Sequence, residues 1–294
     1  MAAPTFGICM FVKPRRRREF ATGAISCTIR VMRQANMPQS PFAPMADLAH
    51  EEPVRSLAPG DIKKILESHR LYLETDRKHG ERANLRSVDL AGFSFAGMDL
   101  RRVNMRRAVL EGADLGGADL RRANLIGANL KRARLEKADL SDARLNGANL
   151  AAANLKDANL SRADMEFSFL VDAVLKGASL HGADMSGVSL DGADLTNTDL
   201  GNANLRGAGF RQTKLHGADL RHARLGGAFF TGALLRGADL RGAYVRVARF
   251  ERADLAGADL RGTEGLTQAQ IDVAICDADT KLPDGLIPRI RDGE

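Results

Sequence analysis

The sequence of 294 residues has no tryptophan, two tyrosines and three cysteines. So few large aromatic side chains are unusual for a chain of this length that packs as one globule. Cys9, Cys27 and Cys276 lack the spacing of a metal site or a disulfide framework, which is typical of a reducing compartment. No stretch approaches the roughly 20 apolar residues of a membrane span. These absences predict a cytoplasmic protein whose core is not that of an ordinary globular domain.

The formal net charge is +6, and it is unevenly distributed. Residues 1–36 contain seven basic residues and one acidic residue, whereas residues 86–261 contain 26 basic and 21 acidic residues. The basic cluster near the N-terminus follows the apolar residues, which is the reverse of a secretory signal. Residues 1–58 are also rich in proline and show no sustained apolar period, so we predict that they are disordered.

Two interpretations of the basic cluster at Lys13 and Arg15 to Arg18 remain open. It can bind phosphate groups as a flexible arm, or it can be a solvated tail. A start at Met37 or Met45 would remove it altogether.

Residues 59–82 are predicted to contain a short amphipathic helix that caps the structure formed by the residues after it. Ile62, Ile65, Leu66, His69 and Leu73 fall on one helical stripe. His69 is interpreted as a packed residue, because no second metal ligand stands four positions away.

A five-residue repeat follows this helix and runs without a gap through most of the remaining chain. From Leu85 to Leu260 every residue whose number is divisible by five is apolar, and 28 of these 36 are Leu. Two positions earlier 28 of 36 are Ala, one position earlier 21 are Asp or Asn, and two positions later 18 are Gly. The repeat therefore has a fixed register over its whole length.

A period of five fits neither a helix nor a flat strand. Five steps of about 100° put successive leucines about 140° apart around a helix, and an odd step in a strand sends them to opposite faces. The pattern closes only if the chain turns a corner once per repeat, with Ala and Leu both facing inward. Four such corners make one coil of 20 residues, so 36 repeats predict about nine coils and a column ~43 Å long.

The five-residue segments ADLGG, ADLRR, ANLIG, ANLKR and ANLKD resemble the repeats of the pentapeptide repeat family. This resemblance implies an all-β solenoid, a right-handed quadrilateral parallel β-helix, over residues 83–263. The family has Leu or Phe at the inward centre and a small residue two before it, as at Leu115 and Ala113. The first repeats differ from this family pattern, because larger residues replace alanine two positions before the central residue: Val88, Phe93, Met98 and Val103. These larger residues indicate a wider first coil that packs against the preceding helix.

Residues 264–294 are predicted to be a second capping helix followed by an extended tail. Thr267 and Gln270 form a capping box, Leu266 and Ile271 a hydrophobic staple, and the helix is expected to reach about Cys276. Both caps would cover sheet edges that otherwise invite edge-to-edge association.

The sequence offers nothing for catalysis. It has no phosphate-binding glycine loop, no metalloprotease motif and no paired cysteines, and His181, His216 and His222 do not cluster when they are placed on the predicted coils. We therefore predict no enzyme activity, no cofactor, no metal and no small-molecule substrate.

Three surfaces are candidates for binding a partner. The first is a set of apolar residues predicted to point outward: Phe167, Phe169, Val171, Val174 and Phe229. An equally good alternative is a local distortion that turns Phe167 or Phe169 inward. The second is a basic wall that could bind nucleic acid, although Asp164, Glu166 and Asp184 interrupt it: Arg86, Arg106, Arg107, Arg144, Arg206, Arg224 and Arg246.

The third surface is an acidic column of seven aspartates, with arginines beside most of them: Asp99, Asp119, Asp139, Asp199, Asp219, Asp239 and Asp259. The charge of this column is relevant because the family that this sequence resembles includes proteins that mimic DNA and bind type II topoisomerases such as gyrase. A repeat region with more bases than acids argues against such mimicry. The preferred interpretation is a rigid rod that binds an unknown protein or a second copy of itself, with the gyrase and nucleic-acid functions as alternatives.

Overall fold

The structure is a computed structural model that describes residues 53–288. Its central feature is a ladder of parallel bridges between residues 20 apart, from Asn84 and Asn104 to Tyr244 and Glu264. A turn follows every fifth residue. One coil therefore has four sides, and each coil contains four repeats. Counted from residue 83, coil 1 comprises residues 83–102 and coil 9 comprises residues 243–262.

The inward residues lie where the period of five puts them. All 36 side chains at positions divisible by five, from Leu85 to Leu260, are at most 2% exposed. We name the four sides of each coil after the three-residue segments of coil 1. The first wall is built on residues 83–85, the second on 88–90, the third on 93–95 and the fourth on 98–100, each with the equivalent segments of the later coils.

Each corner is a tight turn with a left-handed residue. The amide of Val88 donates to the carbonyl oxygen of Leu85, and the next corners repeat this bond. The third turn residue has a positive φ at all 36 corners, of which 18 are Gly. A positive φ at this position is the mark of a type II turn and explains why half of these residues are glycine.

Val247 is the corner residue least suited to this geometry. It is β-branched, its φ is 53°, and it is 72% exposed, so no packing offsets the strain. We expect Val247→Gly to raise the free energy of unfolding by about 1 kcal/mol, because a left-handed conformation costs a non-glycine residue ~1–2 kcal/mol. Urea unfolding of both proteins measures this; a less stable variant would mean that Val247 makes contacts that outweigh its strain.

The aspartates and asparagines before each central residue cap the corners. In 19 of the 21 cases the side-chain oxygen accepts a hydrogen bond from the backbone amide two residues later, as Asp139 does from Ser141. Such bonds mimic a backbone turn and satisfy an amide that the corner leaves unpaired. The preference for Asp or Asn is therefore local and structural.

The N-terminal helix α1 comprises Pro59–Glu74, which is shorter than the predicted range 59–82. Ile62 and His69 are buried on its inner side, and the backbone amide of Ala83 donates to Nδ1 of His69. His69 is thus a packed residue, and its burial lowers its pKa.

The residues just before α1 are ordered. Arg55 pairs with Val88, so the prediction of disorder is wrong for the end of residues 1–58. Residues 1–52 lie outside the described part of the chain.

The C-terminal helix α2 comprises Gln268–Asp272 and ends before the expected boundary at Cys276. The capping box of Thr267 and Gln270 is present, and Ile271 is fully buried. Gln270 also donates to the carbonyl oxygens of Val245 and Ala248 in coil 9.

The residues after α2 are not a simple extended tail. Ile275 pairs with Asp254 and Lys281 pairs with Asp259, so the chain continues the third and fourth walls beyond coil 9. Helix α2 therefore occupies the place of the second wall in an incomplete further coil. Cys276 is buried, and this burial raises the pKa of its thiol, in keeping with a structural role.

Candidate interaction surface

Three large apolar side chains in coil 5 point into solvent. Phe167 is 59% exposed, Phe169 is 49% exposed and Val174 is 38% exposed. The ladder runs undistorted through this region, because Phe169 pairs with Asn149 below and Ser189 above. The alternative in which Phe167 or Phe169 turns inward is therefore wrong. Ser168, between them, faces the core instead, and its hydroxyl donates to the carbonyl oxygen of Met165.

Phe167 occupies a corner between the first and second walls. Its φ is 55°, and its ring leans over the equivalent corner of the next coil, where Gly187 lies. A Cβ atom at Gly187 would lie 2.6 Å from the ring of Phe167. The absence of a side chain at Gly187 is what leaves room for this ring over that corner.

Phe229 lies on the second wall three coils above Phe169. The bridges run from Phe169 through Ser189 and Gly209 to Phe229. Phe229 is half-buried because the guanidinium carbons of Arg211 and Arg249 lie 5.3 and 5.1 Å from its ring centroid. These cation–π contacts hold the ring in place. Val171, the remaining member of the predicted set, is also half-buried.

The arginines of the basic wall are exposed or half-buried, and acidic residues lie between them. Five of its members are exposed: Arg106, Arg144, Arg206, Arg224 and Arg246. Arg86 and Arg107 are half-buried. At mid-column the side-chain amide of Asn146 donates to Asp164 and that of Asn204 donates to Asp184. The positive stripe is thus divided by polar and acidic groups at the height of the aromatic residues.

The acidic column on the fourth wall is neutralised by arginines of the same coils. Five of its seven aspartates form an ion pair with the arginine two residues later, at N···O distances of 2.5–2.6 Å: Asp99, Asp119, Asp219, Asp239 and Asp259. The hydrogen bond from Arg261 lowers the pKa of Asp259 to about 2. The column is therefore a zwitterionic ladder and not a negative stripe.

Two depressions lie beside this ladder. One of about 390 Å³ is lined mainly by arginines, among them Arg102 and Arg122, with Leu73 of α1 at its edge. The other, of about 520 Å³, lies between α1 and the first coil and includes Leu66 and Met98. Both are partly open to solvent. Among residues 53–288, no His, Cys, Asp and Glu side chains form a group of three placed to hold a metal ion.

A scan against protein-family models matches the model described as pentapeptide repeats. Eight copies match between residues 81 and 264, more than half of the chain. The chain belongs to the pentapeptide repeat family. Proteins of this family form right-handed quadrilateral β-helices and are generally structural or interaction proteins.

Solved pentapeptide repeat proteins resemble this one to different degrees. HetL from the cyanobacterium Nostoc sp. strain PCC 7120, which is involved in regulating heterocyst differentiation, is 32% identical. The match covers 79% of this chain and 99% of HetL, with a TM-score of 0.54. QnrB1, a plasmid-mediated fluoroquinolone resistance protein, is 22% identical over 65% of this chain and 90% of its own, with a TM-score of 0.35.

A search of curated proteins finds no match to this pentapeptide repeat chain. Of the two helices in the described residues, neither is long and apolar enough to span a membrane. The site residues predicted from the sequence thus divide into an aromatic patch, defined as Phe167, Phe169, Val171, Val174 and Phe229, and the basic wall. The paired aspartates and the corner caps account for most of the remaining polar pattern.

Proposed function

We propose that this pentapeptide repeat protein is a non-catalytic rod that binds a protein partner through its aromatic patch. One observation carries the proposal. Three of the five exposed large hydrophobic residues of the repeat region lie within eight positions of one another, at Phe167, Phe169 and Val174. Apolar side chains that are scattered singly need no explanation, whereas several in one coil, on two adjacent walls and the corner beside them, are typical of a contact site.

The composition around the patch supports this function. Aromatic residues and arginines are enriched at protein interfaces, and Phe229 is already held between Arg211 and Arg249. A ring that is fixed before binding loses little conformational entropy when a partner covers it.

The alternatives have weaker support. A DNA mimic that binds gyrase needs a strongly negative surface, and the fourth wall pairs most of its aspartates with arginines. Binding of nucleic acid by the basic wall needs a continuous positive stripe, which Asp164 and Asp184 interrupt. Neither function uses the exposed rings.

The test is the double variant Phe169→Ser with Phe229→Ser. Because the bodies of these rings lie outside the column, we expect the melting temperature to change little, while self-association or partner capture is lost. Analytical ultracentrifugation, together with pull-down from native lysate, measures both forms of binding. Ile287→Ser is the control, since Ile287 is 72% exposed and lies beyond the repeat region, far from the patch in sequence.

Three results would contradict the proposal. A large loss of stability in the double variant would mean that the rings belong to the core. Capture of gyrase subunits that the double variant retains would favour the DNA-mimic function. Capture of nucleic acid that moderate salt removes would favour the basic wall.

A further inference from the structure

From coil 5 to coil 9, the second wall carries its charges in two blocks of opposite sign. In coils 5 and 6, this wall and its corners contain three acidic residues and no basic residue: Glu166, Asp172 and Asp191. In coils 7 to 9 they contain five arginines and a single acid, Glu251: Arg206, Arg211, Arg246, Arg249 and Arg252. All these arginines are exposed. A stretch of surface with opposite charges in its two blocks is complementary to its own reversed copy.

Large and small side chains also differ from coil to coil along this wall. Coil 5 presents Phe167 and Phe169, whereas the central positions of coils 6 and 7 are Ser189 and Gly209. Coil 8 presents Phe229 beside a corner that includes Gly227, where an added Cβ would meet no atom within 4 Å. The bulky corner of coil 5 is thus matched by an empty corner in coil 8.

We propose that two copies of this chain bind each other through their second walls, with their columns antiparallel. The two-fold axis passes between coils 6 and 7 and is perpendicular to the column. This inference rests on the proposed function, because it takes the aromatic patch to be a protein contact and names the partner.

The antiparallel arrangement places coil 5 of one copy on coil 8 of the other. Phe169 then meets Phe229 of the second copy, and Phe167 covers the open corner at Gly227. Aromatic pairs of this kind contribute beyond the apolar area that they bury. Asp191 of each copy then directly faces Arg211 of the other, and Glu166 and Asp172 lie one coil, ~4.8 Å, from the nearest arginines of the second copy. A parallel arrangement would instead put like charges together.

An ion pair lies next to the proposed axis. The backbone amide of Arg211 donates to Asp191 at 2.9 Å, and its guanidinium lies 3.4 Å from the same carboxylate. In the dimer, Asp191 and Arg211 of one copy face Arg211 and Asp191 of the other. The four groups form a ring of alternating charge at the centre of the interface, where water is excluded and the pairs fix the register.

Cross-linking tests the register directly, in a background in which Cys9 and Cys27 are replaced by Ser. Ser189→Cys should be cross-linked to itself by a bismaleimide whose reach matches the roughly 10 Å between facing sheets. The two copies of this position are offset by one coil, ~4.8 Å, along the column. Asn149→Cys should not react, because its two copies are five coils apart, ~24 Å.

Ser179→Cys is the matched control on another wall. Ser179 occupies the same position within its repeat as Ser189, and it is also half-buried, but it lies on the fourth wall. Efficient cross-linking at residue 179 would overturn the proposal. Efficient cross-linking of Asn149→Cys to itself would indicate a parallel arrangement and would also overturn it.

Charge reversal gives a second, independent measurement. Asp191→Arg alone and Arg211→Asp alone should each abolish the dimer in sedimentation velocity, with circular dichroism spectra that match the unaltered protein. An equimolar mixture of the two variants should restore a dimer, because each copy then supplies the charge that the other needs.

The outcomes separate this inference from the proposed function. An unaltered protein that stays monomeric, yet captures a partner that Phe169→Ser with Phe229→Ser no longer binds, overturns the dimer and supports the patch. A dimer that neither the double serine variant nor the charge reversals weaken overturns both.

Discussion

Replacing Leu145 by Asp is expected to unfold the repeat region. Leu145 lies on the first wall of coil 4 with no exposed surface, and leucines of the other walls fill the rest of the interior. Truncation of a core leucine to alanine costs about 2–5 kcal/mol by itself. A carboxylate placed there would also be without water or a partner, which adds a further penalty of several kcal/mol. The sum approaches the total stability of an ordinary domain.

The control for this prediction is Arg144→Ser. Arg144 is the neighbouring residue, but its side chain is exposed, and the substitution leaves the inward pattern intact. We expect a change in the free energy of unfolding of less than about 0.5 kcal/mol. Circular dichroism and urea unfolding of both variants measure the difference. A Leu145→Asp protein with an unaltered spectrum and unfolding midpoint would be incompatible with the inward register.

Replacing Ile271 by Asp is expected to detach the C-terminal cap and to make the protein associate. Ile271 is the buried residue of α2, a helix of five residues that has no independent stability. Its loss would uncover the top of coil 9, including Phe250, which stacks on Phe230 at 5.1 Å. An exposed sheet edge above an apolar interior is a template for edge-to-edge pairing.

Val273→Asp is the matched control for the cap. Val273 follows α2 directly and is 41% exposed, so a charge there remains in water. Light scattering against protein concentration should show large assemblies for Ile271→Asp and none for Val273→Asp. Equal scattering from the two variants would show that α2 does not protect the edge of the last coil.

The inward half of the repeat can be predicted from the sequence because one constraint determines it. A leucine at every fifth position, with an alanine two before it, has a common inside only if the chain turns a corner in every repeat. Burial of Leu145 and Ala143 follows from that geometry alone. The pattern also puts Phe169 outside, between the inward positions 168 and 170, but it leaves open a local distortion that turns the ring inward. The undistorted ladder through this coil decides between the two.

The corners could be predicted only in part. Eighteen glycines indicate left-handed corner residues, but the other 18 corners adopt the same conformation with side chains such as Arg, Asp, Phe and Val. The ladder imposes this conformation on them, since each corner is bonded to the coils above and below. The capping by Asp and Asn was not predicted either, although the preference for these two residues before each leucine is its signal in the sequence.

The structure differs from the prediction at both ends of the repeat region, because the sequence there has no periodic pattern that fixes where each element ends. Helix α1 ends at Glu74, well before the expected boundary at residue 82, and α2 ends at Asp272. The residues that follow α2 return to the ladder at Ile275 and Lys281 through backbone bonds to coil 9. Backbone pairing of this kind needs no particular side chain, so the sequence carries no pattern that would reveal it.

The fixed register also restricts how this protein can change in length. Insertion or loss of a single repeat would rotate everything beyond that point by a quarter turn and would move Phe229 away from the wall of Phe169. Only the gain or loss of a whole coil, four repeats together, keeps each surface aligned with itself. Sites that use side chains from several coils therefore constrain length variation to whole coils, whereas the core alone tolerates any whole number of repeats.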